Sequence, residues 1–377
     1  MHILITVNAA WNVLNFRRPL VEAMIADGHS VTVLAPHDDS VGTIKSLGCR
    51  FLPLEMSVKG LNPLQDSKQI GRMRKVFREE RPDAIFSYTI KNNIFGALAA
   101  RPLGIPFIPN VTGLGTAFLS GGFLQFVAEG LYRRAFRNLG VVFFQNEDDR
   151  NLFLTRKLVT AQQARLLPGS GIDLNHFAAT DYHKDKDVPV FLMIARLLRD
   201  KGVIEYVEAA RKVKADHPRV RFQILGAVDA ANRTAIDAAT VTSWEEDGTI
   251  EYLGTTDDVR PHIAAAHCVV LPSYREGAPR TLIEAAAMSR PLIATDVPGC
   301  RSVVNDGETG YLCKVRDSDD LAQSIETFLT LPRAEMARMG RAGRAKMSKS
   351  FDQAIVVQAY RDALRIILLH EKQSVAQ

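Results

Sequence analysis

Two glutamates, Glu276 and Glu284, stand with seven residues between them in the stretch YREGAPRTLIEAAAMSRPLIATDVPG, and Pro279 lies in the gap. The preceding run CVVLPS reads as a buried strand, so the order is strand, loop, helix, with Pro279 expected at the first helical position. The loop residues Gly277, Ala278 and Pro279 and the amides of Arg280, Thr281 and Leu282 then form a helix entrance, where unpaired N–H groups and the macrodipole favour an anion such as a diphosphate. Glu276 lies before the helix and Glu284 more than a turn inside it, so the two cannot share a helical face. They can meet only on different parts of one extended ligand. A nucleotide-sugar suits that spacing, with Glu284 on the ribose hydroxyls and Glu276 on the sugar. A second loop of the same kind, IARLLRDKGV, ends a strand at Arg196 and is expected to open a helix at Lys201. Arg196 can fork onto phosphate oxygens while Lys201 adds a point charge.

These loops need strands to carry them. Apolar, β-branched runs alternate with helical patterns throughout, the rhythm of parallel βαβ units. The first half offers ILITV, SVTVLAP, AIFSY, PFIPNV and VVFFQN; the second offers VFLMIARLL, RFQILG, IEYLG, CVVLPS and PLIAT. Between them, the stretch from ARLLPGSGIDLNHF to AATDYHKDKDVP reads as a linker, which predicts one domain over residues 1–168 and another over 188–350. Apolar residues at helical spacing in FDQAIVVQAYRDALRIILLHEK predict a terminal helix over 351–377 that packs back on the first domain. The fold class expected is α/β, two Rossmann-like doubly wound domains facing a cleft.

With 377 residues, 46% of them hydrophobic and 24% charged, the chain has the composition of a globular protein, and no apolar run is long enough to span a bilayer. The N-terminus reads as a first strand and lacks the basic leader and cleavage site of a signal peptide, so a cytoplasmic location is expected. Four cysteines, Cys49, Cys268, Cys300 and Cys313, form no close pair and are expected to be reduced and buried. Residues 1–168 hold 20 Lys+Arg against 13 Asp+Glu, a net +7 within a total of +5. The basic half fits an anionic partner there. No aromatic-interleaved basic stripe accompanies it, which argues against nucleic acid.

The motif of Glu276 and Glu284, preceded by Arg196 and Lys201, resembles the signature of the family 4 glycosyltransferases of the GT-B fold. SYTIKNNIFGALAAR, NVTGLGTAF, VVFFQNEDDRNLF and LPGSGIDLNHF are similar to the branch that acts in capsular polysaccharide assembly and on undecaprenyl-diphosphate-linked sugars, and the likeness covers essentially the whole chain.

That resemblance implies retaining transfer of a hexose or N-acetylhexosamine, N-acetylgalactosamine being favoured, from a UDP-sugar to a polyprenyl-diphosphate-linked saccharide. It implies neither metal nor cofactor. Glu276, Arg196 and Lys201 would be the catalytic set, Glu276 orienting the sugar and the two cations meeting the leaving diphosphate. The second domain would bind the donor and the first the acceptor. In the first domain Asn8, Ala9, Ala10 and Trp11 would lie under the sugar diphosphate, while Tyr88, Lys91, Asn92, Thr112, Gly113 and Gly115 would face the acceptor. Thr112 stands where many relatives carry a histidine, and Ser289 where they carry a glycine at a helix C-terminus that favours positive φ. An acceptor of this kind implies a place on the cytoplasmic face of the inner membrane. FLQFVAEGLYRRAFRNLG, with Arg133, Arg134 and Arg137, reads equally as an interfacial helix on anionic lipid or as a packed helix with a basic edge.

Two D-x-D patterns, Asp185 to Asp187 and Asp317 to Asp319, superficially match the metal-binding motif of other transferases; linker and helix cap are the simpler readings. GLGTAF and GSGID are read as turns. A non-hydrolysing sugar-nucleotide epimerase on the same fold is the alternative function.

Overall fold

The computed structural model describes residues 1–56, 63–114, 122–182, 188–228, 232 and 234–375. The chain divides into two units, Met1–Gly171 with Gln353–Gln377, and Ile172–Asp352.

Seven parallel strands run through the first unit: β1 (His2–Thr6), β2 (Ser30–Ala35), β3 (Arg50–Pro53), β4 (Ala84–Tyr88), β5 (Phe107–Val111), β6 (Val142–Phe144) and β7 (Ala164–Leu166), in the order β3-β2-β1-β4-β5-β6-β7. Alternation decides which face each residue buries. Ile3 and Ile5 join the core on one face and Leu4 the core on the other. The helix Gln353–Val375 covers the Ile3/Ile5 face, with Tyr360 set between Phe86 and Phe143 at ring-centroid distances of 4.7 and 4.8 Å. Arg361 then clamps it to Asp27 at 2.7 Å.

The second unit repeats this logic with β8 (Val190–Ile194), β9 (Arg221–Leu225), β10 (Glu251–Tyr252), β11 (Cys268–Leu271), β12 (Leu292–Thr295) and β13 (Gly310–Cys313), ordered β10-β9-β8-β11-β12-β13. Each sheet winds outward from its first strand, returns, and winds the other way. The reversal falls between β1 and β4 in one unit and between β8 and β11 in the other, and at such a switch point the loops leaving the carboxyl ends diverge and open a crevice.

Three strands, β3, β7 and β13, lie outside the runs read from the sequence. β3 and β7 are short, half-exposed edges, and β13 is an edge of four residues, so none carries a continuous apolar signal. The helix Gly122–Phe136 is packed with a basic exposed edge: Tyr132 and Phe136 pack on Phe153, while Phe126, Arg133 and Arg134 are exposed. No helix among the described residues is long and apolar enough to cross a membrane.

The turn after the helix Arg280–Ala287 is held from two sides. Ser289 adopts φ 61°, the left-handed conformation expected of a glycine there. Arg290, 1% exposed, donates to the carbonyls of Thr180, Asp181, Ile263, Ala264, Met288 and Ser289. This dense set of charge-assisted bonds over-determines the turn and lets a non-glycine residue stay in it. Replacing Ser289 with glycine removes the strain and should stabilise the protein by about 0.5–1 kcal/mol; a urea unfolding midpoint that fails to rise would contradict this.

Candidate active site

In the second unit β8 and β11 pair directly, with Cys268 opposite Phe191 and Val269 opposite Leu192. Their outgoing loops therefore start side by side. Beyond β8, Arg196 is exposed, and Arg199–Lys201 forms a single tight 3₁₀ turn. Lys201 ends that turn rather than opening the helix, which begins at Val203 behind the cap Gly202. Gly202 has φ 74°, and a Cβ there would lie 2.1 Å from the Pro272 carbonyl oxygen just after β11. Only glycine permits so close an approach. The Tyr274 amide completes the junction by donating to the Asp200 carbonyl at 3.0 Å.

The result is a contact the sequence did not foretell. Lys201 Nζ donates to Glu276 Oε1 at 2.5 Å, with the two side chains 26% and 12% exposed. The loop that carries Glu276 is fixed from behind, where the Gly299 amide donates to the Glu276 carbonyl at 3.2 Å. A Cβ on Gly299 would stand 2.6 Å from the carbonyl oxygens of both Glu276 and Gly277. The start of the helix Pro298–Val303 is thus pressed against the motif loop.

The helix Arg280–Ala287 begins one position later than expected. Pro279 is its cap, with φ −73° and ψ 103°, and the Pro279 carbonyl accepts the N–H groups of Leu282 at 3.1 Å and Ile283 at 3.2 Å. Leu282 is therefore not an open anion donor, because the cap shift brings a carbonyl within reach of its amide. Thr281 Oγ1 donates to the Ile194 carbonyl at 3.0 Å and ties the start of this helix to the end of β8. One turn in, Glu284 is 8% exposed and its Oε1 accepts from Arg280 Nε at 2.5 Å. Burial pushes the Glu284 carboxyl up from its ordinary value, and the Arg280 charge pulls against that shift.

The first unit places the remaining sequence candidates at its own switch point. Asn8, Ala9, Ala10 and Trp11 follow β1; the Trp11 amide donates to Asp38 Oδ2 at 2.9 Å and Asn12 Nδ2 to Asn8 Oδ1 at 2.6 Å. Ala10 is buried and Trp11 is 52% exposed. Two acceptor candidates are corrected. Tyr88 is 2% exposed, with the Arg17 guanidinium 4.1 Å above its ring, and Asn92 is fully buried, donating to Thr6 Oγ1 at 2.7 Å. Both side chains are packed inside the unit and offer no surface to an acceptor. Lys91, Thr112 and Gly113 are half-buried, and Gly115 lies outside the described residues. Thr89, between β4 and its helix, has φ 72° and bonds Asn92 Oδ1 at 3.0 Å. A β-branched residue in that region is strained, and such strain gathers at functional loops.

Asp317 caps the helix Ser318–Leu329 through the amides of Asp319 and Asp320, so the second D-x-D is a cap; Asp185 to Asp187 lie outside the described residues. Among the described residues no group of three or more His, Cys, Asp or Glu could hold a metal ion. The four cysteines are free and buried.

Sequence reasoning missed Gly202 and Gly299, and gave Thr281 an amide role without its hydroxyl bond to Ile194. Each acts through a backbone approach or a bond across the sheet, and only the position of Gly299 in the DVPG turn hinted at a role.

Two family models match the chain: the Glycosyl transferase 4-like domain over residues 15–169 and Glycosyl transferases group 1 over residues 177–346. The chain is a glycosyltransferase, its first part matching the 4-like domain and its second the group 1 model. It is 28% identical to the N,N'-diacetylbacillosaminyl-diphospho-undecaprenol alpha-1,3-N-acetylgalactosaminyltransferase of Campylobacter jejuni, over 94% of this chain and 95% of that one. It is 23% identical to the UDP-Gal:alpha-D-GlcNAc-diphosphoundecaprenol alpha-1,3-galactosyltransferase of Escherichia coli, over 71% of each. The structure of Anabaena Alr3699/HepE in complex with UDP-glucose superposes with a TM-score of 0.77 at 18% identity, covering 97% of this chain and 99% of that one, which shows the shared fold. These matches lend no support to an epimerase. In this glycosyltransferase, Gly299→Ala should push the Glu276 loop out of place and cut sugar transfer by at least about 10-fold, measured as product formed per enzyme; undiminished transfer would show that the loop tolerates the shift.

Proposed function

We propose that this glycosyltransferase moves a hexose or N-acetylhexosamine, N-acetylgalactosamine first among them, from a UDP-sugar to a polyprenyl-diphosphate-linked saccharide, with retention at the anomeric carbon. The observation that carries the reading is the convergence of Lys201 on Glu276, beside Arg196 and the helix that bears Glu284. The near full-length likeness to the Campylobacter jejuni transferase supports the acceptor class.

In this reading Glu284 takes the ribose hydroxyls and Glu276 a sugar hydroxyl. Arg196 and Lys201 meet the diphosphate, where negative charge grows as the bond from the anomeric carbon to the phosphate oxygen breaks. The acceptor hydroxyl forms the new bond on the same face, and its proton passes to the departing phosphate. With two cations on the leaving group, no metal is required by the scheme.

A lipid-linked acceptor calls for peripheral contact with the cytoplasmic leaflet. Exposed Phe126, Arg133 and Arg134 on one helix, within the basic half of the chain, suit an anionic membrane surface.

Glu284→Ala should weaken UDP binding by about 10-fold or more, and Arg196→Ala should lower turnover by about 10²- to 10³-fold. Mass spectrometry with a panel of UDP-sugars and a polyprenyl-diphosphate-linked N-acetylated sugar is the assay. Wild-type turnover in both variants would refute the donor site, and release of UDP without a product mass would refute the acceptor. Reversing Arg133 and Arg134 to glutamate should abolish flotation with vesicles rich in phosphatidylglycerol; retained flotation would reject this helix as the contact.

A further inference from the structure

We infer that Arg280 is a positioning residue for the donor nucleotide, holding the Glu284 carboxylate charged and aimed so that the ribose hydroxyls find an acceptor. The inference rests on the reading of Glu284 as the ribose ligand and extends it to a side chain that the motif itself does not include.

Three features carry it. Arg280 Nε meets Glu284 Oε1 at 2.5 Å across one helical turn, so the pair is set by the helix and needs no other support. Glu284 Oε2 has no protein partner among the described residues, which leaves that oxygen for a ligand. The exposure is uneven: the Arg280 side chain is 38% exposed and that of Glu284 only 10%. A carboxylate buried to that degree tends to take up a proton rather than remain charged. Protonated, it would present a donor where the ribose also presents donors, and its capacity to accept two hydroxyls would fall. The guanidinium beside it keeps both oxygens as acceptors.

Among the described residues, Arg280 is the charge that acts on the Glu284 carboxyl. The elements packed on it are β11, β12, the helix Pro298–Val303 and the helix Arg333–Ser350. Their inward titratable groups are otherwise engaged or neutral: Cys268 and Cys300 are buried thiols, Arg301 pairs with Asp296, Arg344 donates to the carbonyls of Leu174, Phe177 and Ala287, and Lys346 donates to Asn305. On the adjoining loop Lys201 is paired with Glu276. Arg280 is the charge that lowers the Glu284 carboxyl against burial.

The sign of the pH effect follows. The ionised form binds, so nucleotide affinity is lost as pH falls through the Glu284 pKa, which burial has raised. Removing the Arg280 charge raises it further and moves that acid limb to higher pH. The experiment is calorimetric titration of UDP into wild type, Arg280→Gln, Arg280→Lys and Glu284→Ala from about pH 5.5 to about pH 8.5. Arg280→Gln should bind UDP about 10-fold more weakly than wild type at the acid end and within about 3-fold at the alkaline end, with Arg280→Lys close to wild type throughout. The same loss at every pH, or none at any, overturns the inference. Wild-type affinity in Glu284→Ala would instead overturn the donor-site reading beneath it.

Discussion

The pairing of β8 with β11 is the constraint on which the rest of the second unit depends. Cys268 stands opposite Phe191, and two loops distant in sequence leave the sheet at adjacent points. Adjacency alone would leave them as two separate hairpin-like excursions. Gly202 removes the one atom that would hold the first loop off Pro272, and Lys201 then reaches Glu276. Thr281 adds a hydroxyl bond from the next helix back to the end of β8. The cation and the first motif glutamate are therefore positioned by strand order, a missing side chain and a single carbonyl contact, with the second glutamate carried along on the helix those contacts anchor.

Rigidity behind the site comes from polar groups used as internal struts. Arg290 and Arg344 are spent wholly on backbone carbonyls around the end of the motif helix, a use that suits a planar fork of donors better than a flexible ammonium. The first unit reaches a similar end with neutral groups: Asn92 bonds Thr6 across the β1/β4 switch point and receives Thr89, whose backbone is held in a strained region. The helix Gln353–Val375 closes that sheet by inserting Tyr360 between aromatic rings of β4 and β6. Both sheets thus present firm carboxyl edges, the condition for loops that must hold ligand groups within fractions of an ångström.

How much of this could be read from the sequence follows from what kind of interaction each feature uses. Glu276, Glu284, Arg196 and Lys201 could be singled out because their spacing sets them on two strand-to-helix junctions of the same kind, whose strands pair directly in the sheet. The central strands were legible because burial on both faces leaves a continuous apolar run. β7 was hidden inside a stretch rich in turn residues, and β13 by its length of four. Tyr88 and Asn92 misled for a related reason: their types suit ligand binding, and the sequence carries no sign that Arg17 and Thr6 cover them. The shift of Pro279 from first helical residue to cap is a difference of one position, within the blur of any boundary read without the backbone. Lys201 and Glu276 were each assigned a separate ligand group, because nothing in a linear spacing shows that two loops touch.

That contact changes how the charge at the site should be understood. A diphosphate drawn to Arg196 and the helix entrance would meet an unpaired Glu276 carboxylate with a repulsion of roughly 4 kcal/mol at about 4 Å, taking an effective dielectric near 20. Paired with Lys201, the carboxylate no longer opposes it. Glu284 is paired in the same way with Arg280, so each of the two motif glutamates stands against a cation. Lys201 faces both ways, since an ammonium carries three donors and one of them is on Glu276. The remaining two can meet phosphate oxygens without releasing the carboxylate. With the diphosphate on Lys201, as proposed above, the same lysine would couple its binding to the orientation of Glu276.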